Sequence, residues 1–153
     1  MNWEAIGALG ELIGAIVVIA TLFYLSYQVR EGIRVAKSQI REQRSAASQQ
    51  LNYQWAEYAE VMTKARQGIE LNDVEQTQLM MMQRATVRTY EASFFHFNNG
   101  LMDESEWIGV RNNIQGMLEA KHWREGWHQM ETNFSPQFRQ LVNDLEKQIE
   151  QIR

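Results

Sequence analysis

Apolar and polar positions divide the chain into three stretches. Residues 5–29, AIGALGELIGAIVVIATLFYLSYQV, would be apolar on every side of a helix, and Glu11 is the only ionisable group among them. At 1.5 Å per residue they form a helix roughly 37 Å long, enough to cross a hydrocarbon core of about 30 Å. Residues 30–50 are polar and basic, and no proline or strong cap appears before Gly68, so the first helix is expected to run on as a stalk. Ile33, Ala36, Ile40 and Ala47 fit a heptad only loosely, leaving little for a coiled coil between copies. From Leu51 an amphipathic period returns with Trp55, Tyr58, Met62 and Ala65, and residues 51–153 read as a small helical domain.

Within that domain the punctuation is clear. Gly68 suits the residue after a helix C-terminus. Asn72 with Glu75 has capping-box spacing, so a helix is predicted from Asp73 to Asn99-Gly100. Its inward face is Leu79, Met82, Thr86, Tyr90, Phe94 and Phe97. Asp103 with Glu106 predicts a second capping box, opening a helix that buries Trp107, Val110, Ile114, Met117 and Leu118. A short aromatic helix or turn follows around Trp123 and Trp127. Ser135-Pro136 then starts a last helix carrying Phe138, Leu141, Val142, Leu145, Ile149 and Ile152 inward. No segment alternates as a strand would. The expected fold is therefore all-α: a transmembrane helix over residues 1–29, a stalk over 30–50 and a helical bundle over 51–153.

Charge adds a direction. No Lys or Arg precedes the apolar stretch, whereas Arg30, Arg34, Lys37, Arg41 and Arg44 follow it closely. The excess of basic residues on one flank puts the C-terminal domain in the cytoplasm and the N-terminus outside a bacterial inner membrane. Trp3 at one end, with Tyr24 and Tyr27 at the other, fit the two interfacial aromatic belts. Arg30, Arg34, Lys37 and Arg41 are candidates to contact anionic lipid head groups. A secretory signal peptide would begin with a basic segment and carry a shorter apolar core; this chain begins with Glu4. Residues 45–153 hold ten basic against fifteen acidic residues, which excludes nucleic acid as the expected partner.

Glu11 lies about 12 Å along the helix from Trp3. A charged carboxylate facing lipid at that depth costs on the order of 2.5–3.5 kcal/mol. It can take up a proton near the outer interface, face a partner helix, or line a wet cavity. Gly7, Gly14, Ala15 and Val18 share its helix face, and Gly10 with Gly14 forms a GxxxG pair that lets helices approach closely. Gly7, Gly10, Glu11 and Gly14 are thus the candidate helix–helix interface, in a homo-oligomer or against a partner membrane protein.

Three segments, WEAIGALGELIGAIVVIATLFYLSYQVR, YEASFFHFNNGLMDESEW and WREGWHQMETNFSPQFRQLV, resemble a widespread family of small bacterial membrane proteins described only as hypothetical. The resemblance implies one N-terminal transmembrane helix before a helical domain. It implies no activity, cofactor or site residue.

Chemistry-bearing motifs are sparse. Glu125 and His128 have the i, i+3 spacing of carboxylate-bridged di-metal bundles, but those sites need a second such motif and further glutamates. Glu91 is more simply an intrahelical partner of Arg88 or Arg84. Ser93 and Ser105 lack a nucleophile motif, no glycine loop can cradle phosphate, and cysteine is absent. Trp107, Trp123 and Trp127 are expected as core anchors rather than a ligand pocket. Met80-Met81-Met82 must expose some methionine, a hint of a contact surface. No catalytic residue, metal ligand or cofactor is assigned, and the chain is expected not to be an enzyme. Two classes of function stay open. One is a membrane-tethered structural or interaction protein, self-associating or part of a larger membrane complex. The other is a homo-oligomeric ion-conducting pore with Glu11 as an acidic ring, for which Glu11, Thr21, Ser26 and Gln28 supply a thin polar stripe.

Overall fold

The computed structural model describes residues 3–152, and no strand occurs among them. Helix α1 spans Trp3–Glu57, α2 Ala59–Gln67, α3 Asp73–Asn98, α4 Glu104–Glu119, α5 Lys121–Met130 and α6 Pro136–Ile152. A single 3-10 turn, Glu131–Asn133, links α5 to α6. The chain forms two compact units, Met1–Gln39 and Ile40–Arg153, and α1 contributes to both.

The first unit is one stretch of helix. Its apolar side chains on every face are exposed, from Ile6 and Leu9 through Phe23 to Val29. This segment is long and apolar enough to cross a membrane, and none of its most apolar window is buried within the chain.

The second unit is a helical bundle around an aromatic centre. Trp127, Phe138, Ile114, Leu118, Leu145, Val87 and Val142 are fully enclosed. The α4 face read from the sequence is the buried one: Trp107, Val110, Ile114, Met117 and Leu118. Phe138 packs between Phe94, Trp127 and Phe134, with ring centroids 5.8, 6.1 and 6.0 Å away. The Trp127 indole N–H donates to Asn143 Oδ1 at 2.9 Å, so burying the ring leaves no polar atom unsatisfied.

The local signals explain most helix boundaries. Asn72 and Glu75 form a reciprocal capping box: the Glu75 N–H donates to Asn72 Oδ1 and the Asn72 N–H to Glu75 Oε2. Gly68, at φ 71°, adopts the left-handed conformation, and the Gly68 and Ile69 N–H groups donate to the Ala65 and Lys64 carbonyls. The expected run of helix from α1 to Gly68 is interrupted at Tyr58, a single turn residue with φ −104° and ψ 26°. Hydrogen bonds bridge the break, from Tyr58 N–H to Gln54 and from Met62 N–H to Tyr58.

Two expectations need correction. Asp103 precedes α4 without a side-chain cap. Arg41 draws both carboxylates of the expected capping box, with Nε 2.9 Å from Glu106 and an Nη 3.6 Å from Asp103. The buried arc of α3 is also wider than its apolar pattern, taking in Gln83, Val87, Glu91 and Ser93. Packed against α2, α4 and α5, α3 must bury polar positions, and each finds a hydrogen bond. Gln83 Nε2 donates to the His122 carbonyl at 2.9 Å, and Ser93 Oγ to the Thr89 carbonyl at 2.8 Å.

Candidate functional site

In the first unit Gly7, Gly10, Glu11 and Gly14 are all exposed, and a methyl group added at any of the three glycines would meet nothing. The helix brings Gly7, Glu11 and Gly14 onto one face, at separations of four and three residues, and Gly10 adjoins them. That face is a shallow, small-residue strip carrying one carboxylate. Beyond it, the Thr21 hydroxyl donates to the Val17 carbonyl at 2.8 Å.

The basic flank is not uniform. Arg30 is exposed, and Arg34 is exposed with Glu31 as its partner at one-turn spacing. Lys37 is half-buried. Arg41 lies in the second unit, where Glu106 and Asp103 hold it, and Arg44 joins the same carboxylate, with Nη1 3.6 Å from Glu106. Sequence spacing gave no warning of this cluster, because its partners are some sixty-five positions apart.

The second unit contains a groove of about 690 Å³ between residues 41–55 of α1, the Thr86–His96 part of α3 and the first half of α4. Its walls are small where they face one another: Ala47 and Ser48 on α1, Thr89, Ala92 and Ser93 on α3. The Arg41–Arg44–Glu106 cluster closes one end, and His96 also lines the groove. Trp55 stands at the other, stacked on Trp123 with centroids 5.8 Å apart. The α3 hydroxyls already donate to their own helix, Thr86 to Met82, Thr89 to Thr86 and Ser93 to Thr89. Tyr90 lines the groove too, and burial pushes its phenol up. Sequence reasoning missed this groove; the one available signal was a run of small and hydroxyl residues at helical spacing on α3.

A second polar centre is structural. Glu91 is 7% exposed; its Oε1 accepts the Ser135 N–H at 2.7 Å and its Oε2 accepts from Arg88 Nη1 at 2.6 Å. Burial alone would push the Glu91 carboxyl up, but the Ser135 N–H and the Arg88 guanidinium outweigh it and hold it below its usual range. Arg88 also donates to the Asn133 carbonyl and lies 4.5 Å over the Phe134 ring. Together these contacts fix the turn that leads into α6.

Glu125 and His128 do not converge: Glu125 faces Lys121, and His128 Nε2 lies 3.1 Å from Glu146. Among the described residues no group of three or more His, Asp or Glu side chains is arranged to hold a metal ion.

No family model, curated protein or solved structure matches this chain.

Proposed function

We propose that the protein is a membrane-anchored helical interaction module, held in a bacterial inner membrane by the first part of α1. It self-associates or serves as a subunit of a larger membrane complex. The observation that carries this reading is the exposure of the first unit. A helix apolar on all sides is stable only inside a large core or a bilayer, and among the described residues none of its most apolar window is buried. The basic flank from Arg30 onward supports an orientation with the helical domain in the cytoplasm and Arg30 and Arg34 available to anionic lipid. The face of Gly7, Gly10, Glu11 and Gly14 is where a second helix, from another copy or from a partner, would approach. Catalysis is not part of the reading.

The full chain should stay with membranes after alkaline carbonate extraction, and a fluorescent protein fused after Arg153 should be bright in the cytoplasm. Release into the soluble fraction would end the anchor reading. An active periplasmic phosphatase fusion at the same point would reverse the orientation. In mild detergent the protein should be oligomeric and Gly14→Leu should weaken that state. A monomer by light scattering would leave only a different membrane protein as the partner of the Glu11 face.

A further inference from the structure

We propose that residues 41–57 of α1 form a strap hinged at Tyr58, held against the bundle by an ionic latch of Arg41 and Arg44 on Glu106, and that its release bares the Thr86–Ser93 face of α3. The strap and the groove beneath it lie within the second compact unit, so the inference goes beyond the interaction reading and does not depend on the membrane anchor.

The strap is lightly docked along its length. None of residues 41–57 is buried, and only Arg44, Leu51, Gln54 and Trp55 are half-buried. Between its ends the groove of about 690 Å³ separates Ala47 and Ser48 from Thr89 and Ala92, so little packing holds the middle. A stretch with few buried contacts belongs to the low-stability end of a fold. Helix α2, directly after it, is anchored: Val61 is buried and Met62 packs on the core. Loose and firm helix meet at Tyr58, the residue between α1 and α2 that leaves helical geometry, with φ −104° and ψ 26°. A residue at an element boundary is where a hinge takes up backbone rotation.

The contacts at the two ends differ in kind. Trp55 stacks on Trp123 only three positions from Tyr58, so rotation there moves it least. Arg41 is seventeen positions from Tyr58. That is about 25 Å of helix axis, and a rotation of about 20° displaces the Arg41 end by roughly 9 Å. The latch resists that swing. Arg41 Nε lies 2.9 Å from Glu106, an Arg41 Nη 3.6 Å from Asp103, and Arg44 Nη1 3.6 Å from Glu106. The Arg41 side chain is 66% exposed and that of Glu106 27%. Such partly hydrated pairs each contribute little and weaken as salt rises. Glu106 serves both arginines, so one carboxylate governs the docking of the far end. Thr86 and Ser93 are buried and line the groove; with the strap swung out they face solvent.

The test is a spin-label distance in the full chain, which has no cysteine of its own. The protein is held in nanodiscs of zwitterionic lipid, with labelled chain diluted by unlabelled chain. Gln49→Cys on the strap with Asn112→Cys on α4, both at exposed positions, reports opening. Asn112→Cys with Gln148→Cys on α6 reports the bundle alone. At about 0.02 M salt the strap pair should give one short distance. At about 1 M, where charges are screened beyond roughly 3 Å, a longer population should appear while the bundle pair stays as it was. Arg41→Ala with Arg44→Ala, or Glu106→Gln alone, should raise the ratio of long to short about tenfold at low salt, the factor that 1.4 kcal/mol represents, and flatten the salt response. A single distance in every variant and at every salt overturns the strap. A longer population indifferent to salt and to the latch substitutions overturns the latch. Lengthening of the bundle pair alongside overturns the hinge, because the unit is then loosening as a whole. Glu106→Gln keeps the test valid if the double-alanine variant fails to fold.

Discussion

Phe23 is 75% exposed and Phe138 is 0% exposed; Leu22 is 61% exposed and Leu118 is 0% exposed. The two units draw on the same residue types and treat them in opposite ways. In the first unit apolar residues surround the helix, so no single neighbour could cover them, and none of its most apolar window is buried among the described residues. In the second they form stripes, and stripes on α3, α4, α5 and α6 close on one another. Apolar content is thus a poor guide to what a segment does. Its distribution around the helix decides whether the cover comes from the same chain or from outside. The polar groups differ in the same sense. Glu11 has no partner within its helix, whereas Glu91 is held by a backbone N–H and a guanidinium.

Trp127→Ala has the largest expected effect, about 3–5 kcal/mol of lost stability in the second unit, because it empties the centre of the core and orphans Asn143. Thermal unfolding of the full chain should report it while membrane association persists; joint loss of both would mean the units are not separable. Ile16→Arg should do the reverse. At the middle of a span it costs on the order of 2.5–3.5 kcal/mol of insertion, so fractionation should shift while the helical melting of the domain stays put.

Glu91→Leu is expected to cost about 1.5–3 kcal/mol by freeing the Ser135 N–H and the Arg88 guanidinium. Its pH signature has a definite sign. The folded-state carboxyl is held below its unfolded value, so its stabilisation is present above about pH 4.3 and is lost as pH falls through the folded value. Acid titration of unfolding should be flatter in Glu91→Leu than in the parent chain; an unchanged acid limb would remove Glu91 from the account. The smallest effect is at Gly126, where an added methyl would overlap the Gln83 amide. Gly126→Ala gains helix propensity of about 1 kcal/mol but displaces the bond from Gln83 to the His122 carbonyl. A net loss of about 1 kcal/mol is expected, shrinking when Gln83→Ala is made alongside. A stabilised Gly126→Ala would show that Gln83 has room to move.

The sequence alone determined the helical class, the apolar segment, the Asn72–Glu75 cap, the Gly68 stop, the Ser135-Pro136 start and the inward face of α4. Each rests on contacts within a few residues or on a period carried by one helix, so neighbours along the chain contain the whole signal. Only the tertiary structure brought Arg41 and Arg44 to Glu106 and Trp55 to Trp123. It also turned the expected Asp103–Glu106 cap into a long-range ion-pair cluster, buried Gln83, Glu91 and Ser93 on α3, and opened the groove between α1 and α3. Those outcomes depend on which side chains distant in sequence meet, and a carboxylate with two competing partners does not announce its choice in spacing.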